Sequence, residues 1–204
     1  MLLRTYDILD DFDASDAVGL ALAGLPQWRL MKALSFRQDI DKFLCAQSFL
    51  MLGEMLREGF GLYCCPEFSY GPNGKPFLKE YPSIHFNISH CRRGIACAVS
   101  DNPIGIDIEV IQYDEDLVPV VFNSEERDII ESSAEPDVKF TELWTRKESY
   151  LKLKGEGISD NLKDALSTAD GVSFKTEVNR SAGYVLSVAS ISEYTRGESS
   201  LPLI

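Results

Sequence analysis

Apolar and polar side chains take turns in three short runs near the middle of the chain. "IHFNISH" (84–90) alternates as a half-buried strand does, "GIACAVS" (94–100) suits its partner, and "IGIDIEV" (104–110) follows the "DNP" turn as the next strand. Residues 1–9 alternate loosely and suit a first strand. From about Pro26 to Arg57 the period changes: Leu44, Phe49, Leu52, Met55 and Leu56 recur near every 3.6 residues, which predicts helix, broken near 35–38 and ended by Gly59 and Gly61. "SYGPNGKPFL" (69–78) is dense in turn residues and reads as a loop or hairpin. Residues 123–133 open a helix that Asn123 or Ser124 can cap, residues 137–154 form another ended by "GEG" (155–157), and 172–194 reads as two or three strands. The halves therefore run loosely alike, strand, helix, then strands, with a turn near 101–106 as the boundary.

Composition narrows the classes. The 204 residues suit one large domain or two small lobes, and 45 % apolar residues suffice for a core. No apolar run reaches membrane-spanning length, and the opening "MLLRTYDILDDFD" lacks a signal-peptide layout, so a cytoplasmic protein with no membrane partner is expected. Five cysteines, with Cys64 and Cys65 adjacent, give neither a disulfide framework nor a metal-ligand spacing. A net charge of −12 argues against nucleic acid as a partner. Residues 139–154, "KFTELWTRKESYLKLK", are locally basic, and such a site can hold a phosphorylated ligand within an acidic whole.

The chemistry centres on Asp107 and Glu109. On a strand both point to one face, away from the isoleucines. They suit a solvated edge strand. They equally suit a Mg²⁺ site, since this hard cation takes one or two carboxylates and leaves room for water and phosphates. In "WTRKESYLKLKGEG" (144–157), Glu148 and Lys152 lie one helical turn apart with Trp144 one turn before. An ordinary i, i+4 salt pair explains that spacing. Lys147, Lys152 and Lys154 around one acid also make a phosphoryl-transfer constellation. Asn87, Ser89 and Cys91 share one face of their strand and His90 takes the other, while Lys75 sits in the glycine-rich "NGKPF" turn.

The order GKP, FNISH, GIDIE, F-x-x-x-E (Phe122 to Glu126) and WTRKES…K…G-E-G, over residues 71–157, resembles the 4′-phosphopantetheinyl transferases, in particular the larger two-lobed Sfp type. The resemblance implies an α+β fold of two pseudo-symmetric lobes, residues 1–103 and 104–204, each a helix packed on a small antiparallel sheet, with the site in the cleft between them. It implies transfer of the phosphopantetheine arm of coenzyme A to a serine of an acyl or peptidyl carrier protein, releasing adenosine 3′,5′-bisphosphate, by a Mg²⁺-dependent monomer. By matching positions, Asp107, Glu109 and Glu148 are the expected Mg²⁺ ligands. Glu148 is also the base for the carrier serine, and Lys152 stabilises the leaving phosphate. Lys75, Ser89, His90 and Lys147 are the expected coenzyme contacts, and Glu126 matches the F-x-x-x-E acid. Arg29, Lys32 and Lys42 are first-lobe candidates for the coenzyme's 3′-phosphate, and Lys42 is the one assigned; Trp28 and Met31 stand where cations would suit better. Cys91 stands where the family often has serine, and Asn123 where it has serine or threonine. The carrier is expected around 111–126 and the helix after it, on apolar Leu117, Val118, Val121 and Phe122 with the basic residues of 146–154; the same four apolar residues equally suit packing inside the core.

Two other classes fit less well. A Mg²⁺-dependent phosphohydrolase explains the acids and lysines but not the GKP and FNISH segments in that order. A non-catalytic module that only binds coenzyme A or a carrier has little reason to keep Asp107, Glu109, Glu148 and Lys152 together.

Overall fold

In the computed structural model, which describes residues 1–63, 65–155 and 162–191, the repeated pattern becomes two sheets of the same topology. The first unit holds β1 (Leu2–Asp7), α1 (Ala14–Ala23), α2 (Gln27–Leu34), α3 (Asp39–Phe60), β2 (Phe68–Tyr70), β3 (Pro76–Leu78), β4 (His85–Cys91) and β5 (Gly94–Ser100). The second holds β6 (Ile104–Val110), α4 (Val118–Val121), α5 (Ser124–Glu131), α6 (Pro136–Lys154), β7 (Val172–Asn179) and β8 (Tyr184–Ile191). The three-stranded sheets run β1-β5-β4 and β6-β8-β7, antiparallel throughout, so each places its first strand beside its last. The turn-rich 69–78 stretch is the β2–β3 hairpin.

Local chemistry sets the boundaries. The expected break at 35–38 separates α2 from α3, and α3 ends at Gly61 in a left-handed conformation that glycine adopts without strain. Asn123 caps α5 in a capping box with Glu126. α6 ends at Gly155, also left-handed. Residues 156 and 157 of the expected "GEG" stop, Cys64, and the 192–194 end of the expected strand region lie outside the described residues. Helix α1 is absent from the hydrophobic pattern because apolar residues lie on both of its faces: Ala17, Val18, Ala21 and Leu22 turn to the core, while Leu20 is exposed.

Three layers of apolar contact join these elements. Leu44, Leu52 and Met55 of α3 pack on Phe86, Ile95, Cys97 and Val99 of the first sheet. The other face of that sheet, with Cys91, Ala96 and Ala98, meets Ile104, Ile106, Ile108, Tyr184 and Leu186 of the second. Alanines there let the sheets approach closely. Helix α6 covers the remaining face of the second sheet through a partly polar seam, where the Thr145, Ser187 and Thr176 hydroxyls form a chain at 2.8 and 2.9 Å.

The helix–sheet contact repeats between the units with sizes exchanged. In the second unit Gly105 is the close-approach point: a Cβ there would lie 2.0 Å from the Ser149 carbonyl oxygen and 2.3 Å from the Leu153 nitrogen. In the first, a Cβ on Gly59 would lie 2.4 Å from Leu2 Cδ1. Leu2 pairs with Val99, the sixth residue of β5, and Gly105 with Ala189, the sixth of β8. One unit thus puts the glycine on the helix and the leucine on the strand, and the other reverses them. Polar ties cross between units: Asn87 Oδ1 accepts the Ile106 N–H at 2.7 Å, and the Tyr184 hydroxyl donates to Asp7 at 2.9 Å.

Among the described residues no helix is long and apolar enough to cross a membrane. Gly105→Ala drives a methyl into α6 backbone, which cannot yield as a side-chain tip can. The expected loss is about 1–3 kcal/mol, the range for overpacking, read as a lower urea midpoint at unchanged m-value.

Candidate active site

Two residues beyond Gly105 on the same strand face, Asp107 lies under α6 and is 1 % exposed. Lys152 Nζ donates to Asp107 Oδ1 at 2.5 Å and to Ser89 Oγ at 3.0 Å, and Ser89 Oγ donates to the same Asp107 oxygen at 2.9 Å. The close contact at Gly105 is therefore what brings a strand acid and a helix cation together. The indole of Trp144 stands beside Glu109, the next acid on that face, and favours its charged form. Gly105 and Trp144 were legible only as a strand glycine and a helix aromatic, because neither announces its contact without the helix in place.

The acids outnumber the neutralising groups. Asp107 Oδ2 and Glu148 Oε1 are buried without a hydrogen-bond partner, a costly state for a carboxylate. Burial, then the charge of Asp107, push the Glu109 carboxyl up to about 7, and Glu148 adds to the repulsion. Burial and Asp107 likewise raise Glu148, against the pull of Lys152. Among the described residues no three of His, Cys, Asp and Glu stand together as a ready metal cage. Mutual repulsion opposes such closure, and Lys152 holds one Asp107 oxygen. The donors nonetheless fit a hard divalent cation in kind, as anionic oxygens with two lacking any partner.

Two adjoining cavities open here. One of about 280 Å³ is lined by Gly74, Lys75, Asn87, Glu148, Lys152 and Gly155. The other, about 300 Å³, is lined by Arg29, Lys32, Phe36, Tyr70, Phe86 and His90, and Pro76 and Asn87 belong to both. Cations and aromatic faces converge in the second, an arrangement that can hold a phosphorylated aromatic ligand.

Of the sequence-based candidates, Asp107, Glu109, Glu148, Lys152 and Ser89 come together, and His90 faces the second cavity from the other side of β4. Lys75 lines the first cavity, but its ammonium donates to the carbonyls of Leu153 (3.0 Å) and Ile104 (3.2 Å), and Asn73 donates to the Gly155 carbonyl. The hairpin turn therefore clasps the end of α6. Lys42 is turned to Asp39 at 2.7 Å and lines neither cavity, whereas Arg29 and Lys32 line the second. Lys147, expected at the coenzyme, is wholly buried: it pairs with Glu126 at 2.7 Å and donates to the carbonyls of Leu162 and Lys163. Helical geometry explains this, since adjacent residues 147 and 148 point about 100° apart, so only one of them can face the cleft. Glu126 thus serves a capping box and a buried ion pair. The apolar residues expected to meet a carrier are core: Val118, Val121 and Phe122 are buried, because Phe122 packs on Phe140. Leu117 is half-buried, and Tyr113, Val120 and Ile129 are the exposed apolar side chains of that region.

Residues 103–193 match the family model described as the 4'-phosphopantetheinyl transferase superfamily. Over 130 residues the chain is 37 % identical to 4'-phosphopantetheinyl transferase psf-1 of Bacillus pumilus, covering 59 % of this chain and 56 % of that protein. It is 37 % identical over 95 residues to 4'-phosphopantetheinyl transferase Sfp of Bacillus subtilis (strain 168), 45 % and 42 % covered, and 43 % identical over 88 residues to 4'-phosphopantetheinyl transferase gsp of Aneurinibacillus migulanus, 42 % and 36 % covered. The match runs from β6 to β8, so the second unit is the part of the chain similar to the 4'-phosphopantetheinyl transferase superfamily, the family whose motif order the sequence carries. The chain spans about half the length or less of these curated relatives.

Two outcomes follow. Glu109 binds its proton more tightly folded than unfolded, so stability of the metal-free protein falls as pH rises from the unfolded value near 4.5 to about 7, then levels off. Glu109→Gln flattens that segment of a pH series of denaturation midpoints. Lys147→Met strands Glu126 in the core and costs about 3–5 kcal/mol, whereas adding Glu126→Gln recovers part of the loss, read by chemical denaturation.

Proposed function

We propose that this protein is a Mg²⁺-dependent 4′-phosphopantetheinyl transferase that moves the phosphopantetheine arm of coenzyme A to a serine of an acyl or peptidyl carrier protein, releasing adenosine 3′,5′-bisphosphate. The observation that carries this reading is the pair of partnerless buried oxygens on Asp107 and Glu148 beside Lys152, at a cavity joined to one lined by Arg29, Lys32 and His90.

Each residue has a task in that reaction. Arg29, Lys32 and His90 hold the nucleotide end of the coenzyme, and the pyrophosphate lies in the first cavity beside Lys152. Lys75 shapes that cavity by fixing the hairpin to α6. Asp107, Glu109 and Glu148 hold Mg²⁺, which supplies charge neutralisation at the pyrophosphate when bound. Glu148, with a carboxyl raised above its usual range, accepts the proton of the attacking serine. Lys152 stabilises the negative charge on the leaving bisphosphate. One chain supplies both sheets, which supports a monomer, and a cytoplasmic location suits a coenzyme A substrate.

The test is intact-mass spectrometry of apo acyl carrier protein incubated with this protein, coenzyme A and Mg²⁺. The carrier gains one phosphopantetheine, and EDTA abolishes the gain. Asp107→Ala slows the reaction by at least about 100-fold, the scale of removing one transition-state charge contact. No gain on either an acyl or a peptidyl carrier would instead favour a binding module.

A further inference from the structure

We propose that Lys152 is a built-in counter-cation of the acidic site: it holds Asp107 until a divalent cation takes its place, and that exchange frees the ammonium for the substrate's phosphates. The inference rests on the metal reading given above and adds a switch to it.

Asp107 is almost wholly buried, and a buried carboxylate needs a partner. Lys152 provides it at 2.5 Å, yet its own side chain is 30 % exposed and lines the 280 Å³ cavity. The ammonium thus has a free path from Asp107 into the cleft on a flexible four-carbon stem. It also leaves the site under-neutralised. One ammonium faces Asp107, Glu109 and Glu148, and Asp107 Oδ2 and Glu148 Oε1 stay without partners. A cation of higher charge among these oxygens satisfies more of them than Lys152 can.

The first unit shows a closed version of the same cluster. Arg4, two residues after Leu2, occupies the strand position that Asp107 occupies two residues after Gly105. Its partners are the fourth residues of β5 and β8, Cys97 and Ser187. Arg4 donates to Glu54 at 3.0 Å and to Glu58 at 2.6 Å. These glutamates stand five and one residues before Gly59, as Glu148 and Lys152 stand before Leu153. There a strand-borne guanidinium satisfies two helix acids at once. In the second unit the signs are redistributed: acid on the strand, one acid and one cation on the helix. The single lysine meets only one carboxylate oxygen, and the cluster remains open to exchange.

The test uses Mn²⁺ as a paramagnetic probe, titrated into metal-free and coenzyme-free protein and followed by electron paramagnetic resonance. Lys152→Met is expected to bind Mn²⁺ about tenfold more tightly than the unaltered protein, a typical coupling between two competing ligands. Equal or weaker binding by a folded variant overturns the exchange while leaving the metal site standing. Absence of binding to both proteins overturns the metal reading and the exchange with it. A second measurement avoids the variant altogether. In the unaltered protein, reductive methylation of Lys152, read by peptide mass spectrometry, is expected to accelerate several-fold once Mn²⁺ is bound, with exposed Lys79 as the internal standard. Unchanged or slower methylation at saturating Mn²⁺ overturns the proposal.

Discussion

The contact between Gly105 and the backbone of α6 is the constraint on which the site depends. Helices usually rest on sheets through side chains, about one side-chain layer away. Here the missing Cβ lets the Ser149 carbonyl and the Leu153 amide sit directly over the strand. That closeness sets Lys152 within hydrogen-bond reach of Asp107 and buries the Glu148 carboxylate beside it. A larger residue at 105 separates helix and strand, and the acids then gain water and lose their shared field.

The surrounding structure holds that contact in place from several sides. The β2–β3 hairpin fastens the C-terminal end of α6: Asn73 donates to the Gly155 carbonyl, and Lys75 donates to the carbonyls of Leu153 in the last turn of α6 and of Ile104 at the start of β6. Behind the helix, the buried Lys147–Glu126 pair ties α6 to the capping box of α5 and to the carbonyls of Leu162 and Lys163. Ser89 and Asn87 of β4 reach across to Asp107 and to the Ile106 amide, so the first unit contributes directly to the geometry of the second. The cluster thus combines excess negative charge with a rigid frame, the combination expected where a protein keeps repelling acids together for chemistry.

The two units share a topology while differing in what it carries. Their matching strand order and exchanged glycine–leucine contacts make a pseudo-repeat, and the same strand and helix positions bear Arg4 with Glu54 and Glu58 in one and Asp107 with Glu148 and Lys152 in the other. The first version is exposed to water, and its one guanidinium hydrogen-bonds both acids. The second is buried, short of positive charge and open to a cleft, so function resides in the charges placed on the scaffold rather than in the scaffold itself.

Much of this was determined by the sequence alone. Alternation over 84–110 gives three strands, the 3.6-residue period gives α3, and the i, i+4 spacing puts Glu148 and Lys152 on one face, because these features depend on local geometry. The same holds for Asn123 with Glu126, whose capping box closes within a few residues. What only the tertiary structure decided depends on neighbours distant in the chain. Lys147 looked like one more cation of a basic helix, and packing turned it into the core. Val118, Val121 and Phe122 looked available to a partner, but Phe140 covers Phe122. Arg29 and Lys32 rather than Lys42 face the cavity, since Asp39 claims Lys42 one turn along its own helix. Burial and charge pairing are sums over contacts from both units, and a linear pattern records which residues are able to pair while the fold decides which ones meet.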